Sequence, residues 1–447
     1  MAETFDILFK GGTVVNHNGE APVDIGVRNG QIRAIGEIDT SRADQTVDAR
    51  GLHILPGVID TQVHFREPGM EHKEDLETGS RAAVLGGVTA VFEMPNTSPP
   101  TTTAEALAAK VAAGTNRMHC DFAFFVGATR ENAAHLAELE RLPGAAGVKI
   151  FAGSSTGDLL VEGDETLTQV FSTIRRRCSI HSELESRLRE RLPLRRVGDP
   201  TSHYEWRDEV AALESTQRLL RLAAATGAQI HILHVSTGAE MELLSHHKDV
   251  ATVEVTPQHL TLVGPEDYER LGTKVQQNPP IRDREHQDLL WWGLEQGVVD
   301  VLGSDHAPHT LEEKAATYPA TPSGMPGVQT LVPIMLDHVN AGRLSLARFV
   351  DLTSAGAQRL FGITCKGRIA VGYDADFTVV DLKAERVIED SWVASKAGWT
   401  PFAGRKAQGW PIGTVIRGHL AMWEGELGEA RGQAVRFDEG APQSGAG

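Results

Sequence analysis

The chain has 447 residues, of which 41% are hydrophobic and 23% charged, an ordinary composition for a globular protein with a large core. Its formal net charge of −17 argues against a nucleic-acid partner, because phosphate backbones are bound by basic surfaces. No apolar run approaches the ~20 residues that cross a bilayer, so no membrane partner is expected. The first residues lack the basic and apolar segments of a signal peptide, which predicts a cytoplasmic protein.

Both ends of the chain have the pattern of short strands joined by turns. Within residues 1–54, Asn29-Gly30 separates two alternating runs, and this dipeptide is typical of a two-residue β-hairpin. The same pattern returns over residues 366–430. We therefore predict one small β-sandwich domain built from both chain ends, followed by a disordered tail over residues 431–447.

Residues 55–365 alternate apolar, β-branched runs with helical stretches. Eight strands that alternate with helices over ~250 residues favour a (β/α)8 TIM-like barrel, with a doubly wound sheet as the structural alternative. The candidate strands are Leu52–Phe65, Val88–Asn96, Asp121–Gly127, Gly147–Gly153, Cys178–Glu183, Gln229–Ser236, Thr252–Leu260 and Val298–His309.

Polar residues lie at the end of nearly every candidate strand. Because the carboxyl ends of barrel strands share one rim, where barrel active sites form, these residues would converge in space. A single histidine at a strand end is more often a core residue than a ligand, but a whole series in chain order is hard to reach by chance. We also expect the loop Glu312–Gly324 to cover this rim. The residues at the strand ends are His64, Arg66, Asn96, Lys149, His181, His234, Asp305 and His309.

Lys149 lies in the apolar run GVKIF, where an ammonium group is costly to bury unless its charge is removed or paired. Carbamylation by carbon dioxide would turn it into an anionic oxygen ligand that can bridge two metal ions. The alternative is a lysine that reaches the rim and pairs there with a carboxylate.

Neutral imidazoles together with an anionic bridge suit zinc, of which we expect one or two ions. Zinc lowers the pKa of a bound water towards neutrality and polarises a carbonyl group. Asp305 would hold that water, accept its proton and pass it to a leaving nitrogen, which makes Asp305 the candidate catalytic residue. The alternative is that Asp305 is a plain turn residue.

Six motifs resemble those of the dihydroorotase family, in the cyclic-amidohydrolase branch of the amidohydrolase superfamily. The resemblance covers the barrel and both β-rich ends, hence nearly the whole chain. The motifs are HFREPG at 64–69, MPNT at 94–97, GVKIF at 147–151, HILHVS at 231–236, NPPIR at 278–282 and SDHAPHT at 304–310.

The resemblance implies a set of roles for residues of this chain. The implied metal ligands are His64, carbamylated Lys149, His181, His234 and Asp305, which would also move the proton. The implied substrate ligands are Arg66, Asn96 and His309 for a carboxylate, and Asn278 for the pyrimidine ring.

The Arg66 assignment also has a physical reason. A guanidinium offers a planar fork of donors that matches a carboxylate. Hydantoinases and related ring-opening enzymes act on substrates without that carboxylate and would not need it. The alternative is a salt bridge from Arg66 to Glu67 or Asp60.

The chain departs from the family pattern in several places. Gln62 stands where the family has a histidine, and its neutral amide oxygen is a weaker zinc donor, so Gln62 is a further candidate ligand and the number of metal ions is open. Gln329 replaces a usual glutamate, and TPQHL at 256–260 replaces a segment with two histidines. Residues 199–209 match the family poorly and receive no role.

Three functions follow from these observations. The first is a dihydroorotase that interconverts N-carbamoyl-L-aspartate and dihydroorotate in pyrimidine biosynthesis. The second is another cyclic amidohydrolase, such as a dihydropyrimidinase, hydantoinase or allantoinase. The third is a non-catalytic subunit that supports aspartate transcarbamoylase, a reading that Gln62 favours and Lys149 opposes. For an enzyme of this size, we expect a homo-oligomer that acts on a small molecule.

Overall fold

The computed structural model describes residues 4–154 and 159–438. Seven strands open the chain, and the predicted hairpin at Asn29-Gly30 is present: both residues have positive φ, of 53° and 75°, between paired antiparallel strands. These strands are β1 (Phe5–Lys10), β2 (Thr13–Asn16), β3 (Gly19–Pro22), β4 (Asp24–Arg28), β5 (Gln31–Gly36), β6 (Ala43–Asp48) and β7 (His53–Pro56).

Eight parallel strands follow and form one sheet in strict chain order. A parallel bridge between Val63 and His306 brings the first strand to the segment after the last, so the sheet curves into a barrel. The (β/α)8 barrel prediction is confirmed, and the doubly wound alternative is excluded. The strands are β8 (Val58–Val63), β9 (Val88–Glu93), β10 (Asp121–Gly127), β11 (Ala145–Phe151), β12 (Cys178–His181), β13 (Ile230–Ile232), β14 (Ala251–Val255) and β15 (Val301–Leu302).

The last four strands join the first ones. They are β16 (Phe377–Val387), β17 (Lys406–Ile416), β18 (His419–Trp423) and β19 (Glu426–Leu427). A seven-stranded sheet has the order β19-β18-β17-β16-β7-β2-β3, and a four-stranded sheet has the order β5-β4-β1-β6. Strand β16 pairs with β7 from Phe377 opposite Pro56, so both chain ends build the seven-stranded sheet, as predicted, while the four-stranded sheet comes from the N-terminal end alone. The exact domain boundaries stay a prediction.

Helices connect the barrel strands, and a π-helical turn, Asp351–Ala355, links the last two helices. Polar N-caps such as Asp75, Asp208 and Asp283 accept backbone hydrogen bonds at the helix starts. The helices are α1 (Leu76–Leu85), α2 (Ala104–Gly114), α3 (Leu136–Leu139), α4 (Asp164–Thr173), α5 (Glu185–Arg191), α6 (Ser202–Trp206), α7 (Glu209–Thr226), α8 (Gly238–Ser245), α9 (Pro257–Thr261), α10 (Glu266–Leu271), α11 (Arg284–Glu295), α12 (Leu311–Lys314), α13 (Leu331–Asn340), α14 (Leu346–Val350) and α15 (Gly356–Phe361).

The structure corrects several predicted strands. Gln229–Ser236 and Val298–His309 shorten to β13 and β15, and two others change for a local reason. Leu52–Phe65 is two strands, because the chain leaves the seven-stranded sheet at Gly57, where a Cβ would lie 2.3 Å from Thr89 Oγ1. Thr252–Leu260 ends at Val255, because Thr256 caps α9 and Pro257 stands at its first position, where proline is favoured.

Residues 431–438 contact the barrel rather than leave it. Ala434 bridges to Phe122 at the start of β10, and Phe437 bridges to Ile363. The predicted tail therefore begins later than 431, and its remainder, 439–447, lies outside the described residues. Within the described ranges, no helix is long and apolar enough to cross a membrane.

Candidate active site

A pocket opens where the barrel strands end, and the empty space in it and at its open mouth is about 360 Å³. Every predicted site residue except His309 lines it, although these residues are spread over more than 240 positions of sequence. Among the predicted residues, those that line it are Gln62, His64, Arg66, Asn96, Lys149, His181, His234, Asn278 and Asp305.

Three of these residues have an unusual backbone conformation. Arg66, His234 and Asp305 have positive φ of 64°, 38° and 45°, in the left-handed region that costs a residue other than glycine roughly 1–3 kcal/mol. Each follows shortly after a barrel strand, β8, β13 or β15. Strain of this kind concentrates at functional sites, where the surrounding fold holds a side chain in place.

Asp305 and His64 form one pair on the pocket wall. His64 Nε2 lies 3.2 Å from Asp305 Oδ1, and His64 Nδ1 lies 2.8 Å from Asn96 Oδ1. Burial lowers the pKa of His64, which favours the neutral ring with a single N–H. If Nδ1–H donates to Asn96, the bare Nε2 faces a carboxylate oxygen of Asp305. The nitrogen lone pair and the oxygen lone pair then repel each other, and a cation bound between them would remove this repulsion.

His181 and His234 form the second pair. His181 Nδ1 lies 3.1 Å from His234 Nε2, while His181 Nε2 lies 2.9 Å from Glu183 Oε2. Burial lowers the pKa of both imidazoles. His234 Nδ1 is buried and has no partner among the described residues. The pair therefore holds more nitrogen lone pairs than the protein satisfies.

Lys149 lies in the same pocket and is only 1% exposed. Its Nζ has no hydrogen-bond or carboxylate partner within the described ranges and stands 4.6 Å from the Phe151 ring centroid. Burial lowers the pKa of Lys149 to about 7, so much of the amine is neutral near neutral pH. The alternative of a rim lysine paired with a carboxylate is thus not seen.

The residues fit a metal only if Lys149 takes part. In the parts of the chain that the structure describes, no group of three or more His, Cys, Asp or Glu converges on one point. The histidines and Asp305 form two pairs instead, and each pair lacks a further anionic donor. A carbamate on Lys149 would supply that donor to both pairs, which fits the paired arrangement.

Gln62 contacts Asp305 directly. Its Nε2 donates to Asp305 Oδ1 over 3.0 Å, and its Oε1 is buried without a partner in the described residues. Both short contacts to Asp305 are made at Oδ1, by Gln62 Nε2 and by His64 Nε2. Oδ2 is therefore left for chemistry in the pocket.

Arg66 is 2% exposed, and its guanidinium pairs with no carboxylate among the described residues. Its recorded contacts are Pro308 O at 3.3 Å from Nε and His309 Nε2 at 3.4 Å from Nη2. Glu67 instead accepts from Arg117, and Asp60 accepts from the Ser304 and Gln62 backbone N–H groups. The salt bridge considered as the alternative is absent, so a buried cation faces the pocket without a carboxylate paired to it.

His309 lies behind Arg66 rather than in the pocket lining. Its Nδ1 is 3.1 Å from Lys73 Nζ, and its Nε2 is 3.0 Å from Ser323 O. Ammonium donates and a carbonyl accepts, so Nε2 carries the proton. A protonated Nε2 cannot accept from Arg66, which leaves Arg66 Nη2 without an acceptor on His309.

Several residues of the site escaped the sequence analysis. Glu183 accepts from His181, and Arg207 in turn donates to Glu183 through Nε over 3.1 Å. His203 Nε2 lies 2.9 Å from Asn278 Oδ1. Glu183 stands two residues after His181 and could have been found as a partner that orients a histidine at a strand end. Arg207 and His203 belong to residues 199–209, where no motif pointed to them.

The architecture and the site define a class of protein. A parallel (β/α)8 barrel whose strand ends present imidazoles, a carboxylate and a buried lysine in one pocket is the arrangement of a metal-dependent hydrolase. The amidohydrolase family model matches residues 53–421, and the chain belongs to this family.

The chain is similar along nearly its whole length to proteins with related activities. It is 36% identical to a dihydroorotase of Methanosarcina mazei, over 97% of this chain and 98% of that protein. It is 34% identical to an allantoinase of Deinococcus radiodurans, over 97% and 99%. Among solved structures, the L-hydantoinase (dihydropyrimidinase) of Arthrobacter aurescens superimposes with a TM-score of 0.91 at 31% identity, over 97% of this chain and 100% of that one.

Proposed function

We propose that this chain is a zinc-dependent dihydroorotase, which interconverts N-carbamoyl-L-aspartate and dihydroorotate in cytoplasmic pyrimidine biosynthesis. The observation that carries the proposal is the unpaired guanidinium of Arg66 in the pocket. The proposal is supported by the similarity of the chain to dihydroorotases, with which it shares 36% sequence identity.

The argument from Arg66 rests on the cost of burial. A buried cation without a partner is expensive, and removing water from it is repaid only by an anion of matching shape. Burial lowers the pKa of Arg66 to about 10, which still leaves it charged at neutral pH. Both dihydroorotate and N-carbamoyl-L-aspartate carry a carboxylate that the planar fork would bind. Asn96, which lines the same pocket, would be a second donor to that carboxylate.

The metal site would use the two histidine-containing pairs. His64, Lys149 as its carbamate, His181, His234 and Asp305 would hold one or two zinc ions, with Gln62 beside Asp305. When bound, zinc would lower the pKa of a water molecule and polarise the amide carbonyl that is attacked. Glu183, by accepting from His181 Nε2, would keep the other nitrogen of that ring bare for the metal.

Asp305 would move the proton. Its Oδ1 accepts from Gln62 and lies beside His64 Nε2, so Oδ2 would accept a proton from the attacking water during ring opening. The same oxygen would then deliver the proton to the leaving ring nitrogen. In the direction of ring closure, the two transfers run in reverse.

A substrate panel tests the proposal. Purified protein, supplied with zinc and bicarbonate, would be assayed with dihydroorotate, N-carbamoyl-L-aspartate, dihydrouracil, hydantoin and allantoin. We expect turnover of the first two, both of which carry the carboxylate, and little of the others. Preferred turnover of allantoin or hydantoin would replace the proposal with another cyclic amidohydrolase. Turnover of none, with zinc bound or not, would favour a non-catalytic subunit.

A further inference from the structure

His203 is a buried histidine that no predicted role includes. It lies in α6 and is 2% exposed. Its ring stands edge-on to Trp206 and Tyr318, with centroids 5.9 and 5.8 Å away. These two rings fix its position, so the direction of its hydrogen bonds is set by packing and not by solvent.

The contacts of His203 determine where its proton lies. Nε2 is 3.0 Å from the backbone oxygen of Gln277 and 2.9 Å from the side chain of Asn278. A carbonyl oxygen only accepts, so Nε2 must carry a hydrogen. Burial lowers the pKa of His203 to about 3, which is consistent with a neutral ring and its single N–H.

The same contact determines the orientation of the Asn278 amide. A nitrogen that carries hydrogen faces the side chain of Asn278, so the atom opposite must accept, and this atom is Oδ1. The Nδ2 group of Asn278 therefore points away from His203. Asn278 lines the active-site pocket, and no described residue accepts a recorded hydrogen bond from its Nδ2.

We infer that His203 is a positioning residue that fixes Asn278 as a hydrogen-bond donor, so that the pocket selects substrates with a carbonyl oxygen at this point. The inference rests on the proposed function for the substrate class, a cyclic ureide or its carbamoyl product. Such a substrate has two carbonyl groups next to the ring nitrogen that leaves. One is the amide carbonyl that is attacked, and the other is the urea-type carbonyl, which is not attacked. The ureide oxygen is the acceptor that the Nδ2 group of Asn278 would meet.

A cycle of four proteins tests the coupling between the two residues. His203→Phe keeps an aromatic ring between Trp206 and Tyr318 but removes the donor, and Asn278→Ala removes the group that it orients. We expect each single change to lower kcat/KM for N-carbamoyl-L-aspartate about tenfold, mainly through KM. The double variant should have the same kcat/KM as Asn278→Ala, because His203 acts only through Asn278.

A substrate analogue distinguishes a positioning role of His203 from a purely structural one, because a structural defect would not change the preference between oxygen and sulfur in the substrate. Sulfur is a poorer hydrogen-bond acceptor than oxygen, so the wild-type protein should prefer N-carbamoyl- over N-thiocarbamoyl-L-aspartate by about tenfold. His203→Phe should lose most of this preference. His203→Gln, whose amide can still donate, should restore part of it.

A control variant and a binding measurement complete the test. His338→Phe removes another buried histidine, which bonds to Thr261 and packs on Trp291 outside the pocket, and it should leave the preference for oxygen unchanged. Calorimetric binding of the same compounds gives the cycle a readout that needs no turnover. If the wild-type protein turns over neither carbamoyl-aspartate nor dihydroorotate, the proposed function fails, and the cycle is measured with the cyclic ureide that it does bind.

The inference would be overturned by either of two results. One is equal losses from His203→Phe in the presence and absence of the Asn278 side chain. The other is an unchanged preference for oxygen over sulfur in His203→Phe that still folds, as judged by its thermal midpoint.

Discussion

At the residue scale, the pocket gathers buried polar atoms whose bonds the protein does not complete. Gln62 Oε1, Lys149 Nζ and His234 Nδ1 are buried without a partner in the described ranges. A buried donor or acceptor left in this state costs roughly 1–3 kcal/mol, and more when it is charged. Groups of this kind in one pocket are stabilised by what the pocket binds, which in the proposed function is a metal centre and an anionic substrate.

Arg66→Met should raise the KM of carboxylated substrates by about 10- to 100-fold, because it removes a charged hydrogen-bond donor of the pocket. Steady-state kinetics with N-carbamoyl-L-aspartate would measure this. Arg117→Met is the matched control: Arg117 bonds to the neighbouring Glu67 and does not line the pocket, so KM should change little. A KM for Arg66→Met equal to that of the wild-type protein would remove the reason for a carboxylated substrate.

The site residues that could be identified from sequence are those whose polar or charged side chains stand at the ends of apolar strands. Lys149 in an apolar strand signals a buried amine whatever its neighbours are, and the pocket does contain it. The unpaired state of Arg66 was not predictable, because Glu67 stands next to it in sequence and only the fold turns Glu67 towards Arg117. The position of His309 behind Arg66 depends in the same way on the loop that carries Lys73 and Ser323.

At the scale of elements, the barrel strands end in the pocket while a separate segment supports them. Residues 199–209 pass beside the ends of β12 and the loop at Asn278, where His203 and Arg207 make their contacts. Burial raises the pKa of Glu183, but Arg207 and His181 outweigh it and hold this pKa well below its usual value. Glu183 is therefore an anion that orients His181.

Arg207→Met should weaken zinc binding by about 10- to 100-fold, because Glu183 would lose its guanidinium partner and orient His181 less firmly. Competition with a metal chelator of known affinity measures this without any assay of turnover. Arg187→Met removes an arginine whose bonds go to Asp208 instead, and should leave zinc affinity unchanged. Equal zinc affinity in Arg207→Met and wild type would contradict a supporting role for this segment.

The elements themselves were largely predictable, and the errors have local causes. Apolar runs with β-branched residues located the barrel strands, since buried parallel strands require them. The division of the first strand at Gly57 was missed because a glycine inside an apolar run does not reveal that the chain changes sheets there. The loop Glu312–Gly324 was expected to cover the rim; only its end, Ser323 and Gly324, lines the pocket. Lys314 holds this end, since its buried Nζ donates to Pro322 O and Gly324 O.

At the scale of the whole molecule, a buried charge cluster joins the barrel to the seven-stranded sheet. Lys366 Nζ lies 2.8 Å from Asp121 at the start of β10 and 2.5 Å from Asp376, which precedes β16. Asp374 lies 3.3 Å away. Burial alone would lower the pKa of Lys366, but the three carboxylates outweigh it and raise that pKa. The cluster therefore ties the two parts together beneath the site.

Lys366→Met should destabilise the protein by about 3–5 kcal/mol, because it leaves buried carboxylates without their shared cation. The midpoint of thermal or urea unfolding would report the loss. Lys10→Met removes a more exposed lysine that pairs with Asp24, and should cost less than about 1 kcal/mol. A Lys366→Met midpoint as high as that of Lys10→Met would mean that the cluster does not hold the sheet to the barrel.

The measurement that tests the central claim most directly is zinc content per chain, with cyclisation of N-carbamoyl-L-aspartate assayed on the same sample at mildly acidic pH. We predict at least one zinc per chain together with turnover, and the stoichiometry would show whether Gln62 costs the site a second ion. Neither zinc nor turnover, after zinc and bicarbonate are added back, would contradict the account.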